Sequence, residues 1–210
     1  MLRIFRATVL PPAFEFELAG GLRALLRPIR ADDAPRFERG YEQLSEASRR
    51  TRFFGQASAL SQTQLHFLTE VDQVNHAAWG ALNLLQPQEP GIGVARYIRV
   101  DRKSDAAEVA ITVLDAYQHR GAGALLHACL HLTAARHGLR RFLYDVSQDN
   151  QRFIAHLKAI GALQTGSAEH ILRLEMPVYA RASKLPRNTA SGQHFAALMR
   201  RLQHVPAVDA

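Results

Sequence analysis

The chain has one cysteine, one tryptophan and three methionines in 210 residues. Cys129 has no partner for an internal disulfide, so no disulfide framework holds the fold, and an inert buried thiol is expected. No apolar run approaches the roughly 18–20 residues that a membrane span requires. Residues 1–10 are short and broken by Arg3 and Arg6, which does not suit a signal peptide. No internal repeat is visible. The expected protein is a globular one in the cytoplasm, without a membrane partner. Acidic residues are also in deficit: 26 Lys and Arg face 19 Asp and Glu, a net charge of +7. From Ala180 onward, five basic residues face Asp209 alone, a net of +4. A basic tail is ordinarily a solvated appendage, so the charge favours anionic partners without making nucleic acid the expected one. Hydrophobic residues make up 47% and charged residues 21%, as in ordinary globular domains.

The patterning predicts an α/β chain with a mixed sheet. Residues 1–20 read as peripheral, with a break at Pro11-Pro12. Residues 22–29 read as a strand, and Asp32 or Asp33 as the cap of a helix that starts near Pro35 and runs to about Leu44. Ser61 with Gln64 makes a capping box for a helix over 62–70. Residues 76–84, 92–100 and 108–114 read as three strands joined by short turns. A helix over 123–137 ends at Gly138. Then come a strand over 140–146, a helix over 150–160 ended by Gly161, and a final strand over 168–175. A short helix is expected over 192–203. The expected organisation is an N-terminal extension (1–19), one domain (20–178) and a basic tail (179–210).

Between strand 108–114 and helix 123–137 lies Gln118-His119-Arg120-Gly121-Ala122-Gly123. Glycine lets the backbone approach an anion and take positive φ. The unpaired N–H groups and positive dipole end of the helix face that anion, and Arg120 adds formal charge. The bland alternative is a tight turn before a helix. A dinucleotide-binding turn is a second rival, since Asp145 stands 22 residues after Gly123 where such folds carry an acid about 20 positions on. Against that rival, Leu126 occupies the third glycine position, the loop does not follow the strand directly, and antiparallel hairpins precede it.

This loop resembles the Q/R-x-x-G-x-G/A signature of the GNAT acetyltransferase superfamily. Residues 22–30 with Asp32-Asp33 are similar to the family's first strand and the start of its first helix. Asn150 with Gly161 is similar to its later helix. Three further stretches resemble the GNAT domain of bacterial protein-lysine acetyltransferases: Leu44-Ser45 with residues 48–55, residues 68–72, and residues 93–97. The resemblance covers roughly residues 20–176. It implies a GNAT fold with a splayed strand pair and acetyl-CoA as donor. It further implies backbone pairing of the pantetheine arm at Ile111, Thr112 and Val113, and a pyrophosphate site at Gln118, His119, Arg120, Gly121, Ala122, Gly123 and Ala124. Asn150 would contact the donor or an ordered water, and an amine would attack directly in a ternary complex.

The narrower family places its glutamate base at Glu108. An amine near neutral pH is mostly ammonium, so some group must accept its proton. Alternation puts Glu108, Ala110 and Thr112 on one face of the strand, and burial at a cleft would raise the carboxyl's pKa. The alternative is a surface carboxylate at a strand edge. The family's general-acid tyrosine, seven residues after the helix asparagine, is replaced here by Leu157, with His156 beside it. Tyr117 reads as a packing aromatic, and the place of Tyr144 is left open. His127 and His131 share a helix face at metal-ligand spacing, but no third ligand is apparent, so no metal is expected. Both are expected on the solvated side, opposite Leu125, Cys129 and Leu132. The arginines and phenylalanines of 48–55 read as a solvated basic segment with Phe53 and Phe54 in the core, or as a guide for an acidic acceptor. The expected acceptor is a protein lysine. A small amine, or a non-catalytic acyl-CoA- or nucleic-acid-binding module, are the alternatives. The sequence does not report oligomeric state.

Overall fold

The computed structural model describes residues 9–53 and 59–208. Phe54 and Gly55 of the basic aromatic segment lie outside the described residues, as do the side chains of residues 50–53. Eight strands form one sheet: β1 (Phe14–Leu18), β2 (Leu22–Pro28), β3 (His76–Asn83), β4 (Gly93–Arg99), β5 (Ala106–Val113), β6 (Arg141–Ser147), β7 (Leu163–Ala168) and β8 (Ile171–Pro177). Their order is β1-β2-β3-β4-β5-β6-β8-β7. Every neighbouring pair is antiparallel except β5 and β6, which run parallel. A parallel pair needs a crossover, and helix α4 (Ala122–Arg136) supplies it.

On one face of the sheet sit α1 (Ala34–Gln43), α2 (Glu46–Phe53) and α3 (Gln62–Thr69). Helix α3 begins with the expected capping box: Gln64 N–H donates to Ser61 Oγ at 3.2 Å, and Ser61 N–H to Gln64 Oε1 at 2.8 Å. Helix α1 differs, because Asp33 makes no side-chain cap to it. Its carboxylate instead receives both guanidinium nitrogens of Arg27, at 2.8 and 2.6 Å, and the Arg30 N–H at 2.9 Å. Burial opposes the charge on Asp33, yet the Arg27 and Arg30 contacts hold its pKa below the ordinary range. This buried bidentate pair fixes the end of β2 against the start of α1.

The other face is covered by α4. Ala77, Trp79 and Ala81 of β3 and Ala95 and Tyr97 of β4 join it in the main core. Trp79 Nε1 donates to Thr133 Oγ1 at 2.9 Å, and Tyr97 Oη pairs with His137 Nδ1 at 2.8 Å. Beyond α4 lie α5 (Gln151–Ala159) and α6 (Ala190–Leu202).

Three further features differ from the sequence reading. Residues 14–18 are not peripheral: they form β1, with Phe14 fully buried against the Trp79 ring. The basic tail is not a solvated appendage. Helix α6, capped by Thr189, packs on α4 and α5 and buries Phe195, Ala196, Leu198, Met199 and Leu202. Its arginines lie on the outer face, where the Arg201 guanidinium covers the Phe16 ring at 4.2 Å, so charge and burial are separated by helical period. The packed body thus extends past residues 20–178 at both ends. The third difference is β7, an exposed edge strand whose sequence Leu-Gln-Thr-Gly-Ser-Ala lacks apolar alternation. Its pairing to β8 makes it a strand, not its propensity. Among the described residues no helix is long and apolar enough to cross a membrane.

If α6 is an integral layer, Phe195→Ala, which removes a fully buried ring, is expected to cost about 3–5 kcal/mol in urea unfolding. A detachable tail would show almost no change.

Candidate active site

Strands β5 and β6 pair only at Ala106↔Arg141, Ala107↔Phe142 and Glu108↔Leu143. Beyond that point β5 continues to pair with β4 as far as Val113, and β6 pairs with β8 as far as Ser147. The two strands therefore part after Glu108. Beyond Glu108 the two strands form no further pairs with each other. A cleft of about 1250 Å³ opens in the gap. Its walls include Glu108 to Val113 on one side, Leu143 to Ser147 on the other, and the start of α4 with Asn150, Arg152 and His156 at its end.

The start of α4, like that of α1, has no side-chain cap. Helices α3, α5 and α6 each have a side-chain cap, from Ser61, Asn150 and Thr189. Gly121 at the N-cap of α4 provides none. Its φ of 89° lies in the left-handed region, and His119 preceding it has φ 64°. Glycine is favoured at Gly121 for that reason. At Gly123 an added Cβ would lie 3.6 Å from Val113 Cγ2, an ordinary contact. Gln118 Nε2 approaches Val113 O at 3.4 Å and Asp115 Oδ1 at 3.2 Å, and so ties the loop to the end of β5. The loop is held from the far side by Ala19 N–H, which donates to Arg120 O at 3.1 Å. Arg120 is exposed, and Arg152 Nη1 lies 3.4 Å from His119 Nε2. Arg152 and the first N–H groups of α4 thus meet at one end of the cleft, an arrangement suited to an anion, whereas Arg120, expected at this site, does not line the cleft and its guanidinium lies near Gly20.

The sequence-derived residues fall as follows. Ile111, Thr112, Val113, Gln118, His119, Gly121, Ala122, Gly123, Ala124 and Asn150 all line the cleft, and Glu108 lines it where the strands part. The burial expected for Glu108 is not seen, since its side chain is exposed. Asn150 has a structural task as well: its Oδ1 accepts from Phe153 N–H at 3.2 Å. Tyr117 packs between the two core clusters.

The histidines were misplaced. His127 and His131 are fully buried, because α6 covers the face of α4 that the sequence left to solvent. His127 Nε2 pairs with Tyr144 Oη at 2.7 Å, and its Nδ1 lies 3.4 Å from His156 Nε2. His131 Nδ1 accepts from Tyr179 N–H at 3.1 Å, which requires a neutral ring. Burial drives all three pKa values down: well below normal for His127, to about 3 for His131 and to about 4 for His156.

Two residues near the cleft were missed. Arg152 stands one turn before His156 on α5, and that i, i+4 spacing was readable. Asp115 gathers Ser45 N–H at 2.9 Å and Ser48 Oγ at 2.7 Å, joining α2 to the loop; no local sequence pattern announces a contact across 67 residues.

The family model for the acetyltransferase (GNAT) domain matches residues 23–163. The chain belongs to the GNAT acetyltransferase family. It is 33% identical over 142 residues to the acetyltransferase Pat of Mycolicibacterium smegmatis, covering 66% of this chain but only 40% of that protein. It is 31% identical over 140 residues to an acetyltransferase of Pseudomonas aeruginosa, covering 67% of this chain and 74% of the relative. Among solved structures, the GNAT domain of S. lividans PAT is similar at a TM-score of 0.71 with 32% identity, covering 79% of this chain and 96% of that domain. Its mixed sheet with one parting strand pair is the sheet of a GNAT fold.

The buried imidazoles of this GNAT-family chain carry a pH signature. A histidine with a depressed folded pKa stabilises the fold above its unfolded value of 6.5, and that stability is lost as protons bind the unfolded chain. Thermal unfolding is expected to show falling Tm from about pH 6.5 down to about 4, with a shallower slope in His131→Leu. A flat profile across that window would contradict neutral burial.

Proposed function

We propose that the enzyme moves the acetyl group of acetyl-CoA to a primary amine, with a protein lysine as the preferred acceptor, by direct attack in a ternary complex. The observation that carries this reading is the parting of β5 and β6 at Glu108, which leaves a cleft running to the uncapped start of α4. An extended donor fits it from both ends. Backbone N–H groups of Gly121 to Ala124, with Arg152, offer a seat for a diphosphate. The edge of β5 at Ile111 to Val113, where it has left β6, offers a strand-like track for an amide-bearing arm. The carboxamide nitrogen of Asn150 is left to offer a donor, its oxygen being used at the helix cap.

This seating places a thioester beside Glu108. The glutamate, directly or through a cleft water, accepts the proton that a lysine ammonium must lose before its nitrogen can attack. Exposure of Glu108 on the face shared with Thr112 gives the acceptor a route in from that side. The lysine preference rests on the motifs at 44–55, 68–72 and 93–97, and on the similarity to Pat and PAT acetyltransferases.

Three outcomes are expected. Glu108→Gln should lower kcat about 100-fold or more with acetyl-CoA affinity unchanged; near-normal turnover would remove Glu108 from the chemistry. Gly121→Val, which strains a φ of 89°, should weaken CoA binding at least about tenfold by calorimetry. In a thiol-release assay, lysine-bearing proteins should release CoA thiol from acetyl-CoA faster than polyamines or free amino acids do. Release with small amines alone would move the acceptor to that class.

A further inference from the structure

The motifs at 68–72 and 93–97 meet in the fold, and an aromatic ring stands exposed beside their meeting point. Helix α3 buries Leu65 and Leu68, while Phe67 between them is 54% exposed. A single apolar side chain on a surface is common. This one lines the same cleft as Glu108.

The sheet below holds the ring in place. Arg96 of β4 donates from Nη2 to Leu68 O at 3.1 Å and from Nη1 to His76 Nε2 at 3.0 Å. A guanidinium can only donate, so His76 accepts on Nε2 and keeps its proton on Nδ1. Burial, together with the charge of Arg96, lowers the His76 pKa to about 4, and its ring is neutral near pH 7. The Phe67 ring meets that of His76 at 5.1 Å between centroids. Arg96 thus ties the end of α3 to the sheet, and Phe67 is held over β3.

Strand register connects this ring to the glutamate. His76 stands opposite Ile98, and Ile98 opposite Glu108. Directly opposed residues share a face, so the three form a row across strands roughly 4.8 Å apart. Ile98 also lines the cleft. From Phe67 the row runs over an aliphatic side chain to an exposed carboxylate. Arg96, a cation of the same face, is buried and directs its terminal nitrogens at Leu68 O and His76. An apolar track that ends at a carboxylate complements an apolar stem that ends in a cation, which is the build of a lysine side chain.

We propose that Phe67 and Ile98 form the acceptor subsite, on which the four-carbon stem of the incoming lysine lies while its nitrogen is presented to Glu108. The inference rests on the acetyl-transfer reading above and supplies the contact behind its lysine preference. Phe67 acts on the acceptor alone, because the donor lies along β5 and the start of α4. An amine with a short stem can reach Glu108 but leaves the ring uncovered.

The test uses two conjugates in which the CoA sulfur carries a CH2–CO group in amide linkage to an amine. One amine is the side-chain nitrogen of lysine amide, the other that of 2,3-diaminopropionamide, whose stem is three methylenes shorter. By calorimetry, wild type is expected to bind the lysine conjugate about tenfold more tightly than the short one. Phe67→Ala should abolish that difference and leave the affinity for CoA itself unchanged, whereas Phe67→Tyr should retain it. Equal binding of both conjugates by wild type, or a preference that survives Phe67→Ala, would overturn the proposal. Loss of CoA affinity in Phe67→Ala would make the ring a structural residue and overturn it as well. Wild-type protein that bound no CoA would sink the acetyl-transfer reading itself.

Discussion

One constraint governs the site: among the described residues, the sheet's only parallel pairing ends at Glu108↔Leu143. A strand that leaves its neighbour exposes backbone donors and acceptors that must find other partners. Strand β5 stays attached to β4, and β6 to β8, so the gap is held open by two rigid half-sheets and not by a loop. The crossover helix α4 must start at the top of that gap, because it connects the strands that border it. Its positive end is therefore directed at the cleft by topology alone. Gly121 and the missing side-chain cap then leave that end open to a ligand.

Layers outside the family match at 23–163 support this arrangement. Strand β1 widens the sheet, and the β1–β2 turn reaches the loop through Ala19 N–H on Arg120 O. Helix α6 closes the back of α4 and α5, and this closure buries His127 and His131. Removing the polar side of α4 from solvent turns two histidines into core residues and brings one of them within reach of His156. The tail thereby shapes the wall of the cleft without lining much of it.

Much of the site was legible because its signals are local. Gly121 and Gly123 next to a helix start, Asn150 at a helix cap and Glu108 on a strand of period two are each patterns within a few residues. The capping box at Ser61 and Gln64 was readable for the same reason. What could not be read depends on distant partners. β1 and β7 are strands because β2 and β8 pair with them. α4 looked amphipathic because its two histidines were given to solvent, although its residues are apolar on nearly every side, the mark of a helix covered all round. Asp33 looked like a helix cap, but Arg27 competes for it from the preceding strand and wins through two charge-assisted bonds. Glu108 was found, but its exposure depends on how far the neighbouring strand diverges.

The central claim is that the backbone at the start of α4 grips a diphosphate and so sets a thioester beside Glu108. Calorimetric titration of the wild-type protein with acetyl-CoA and with acetyl-pantetheine, which carries the same thioester arm without the diphosphate, tests it most directly. Acetyl-CoA should bind far more tightly, with the difference shrinking as salt is added. Equal affinity for the two, or no heat with either, would contradict the account.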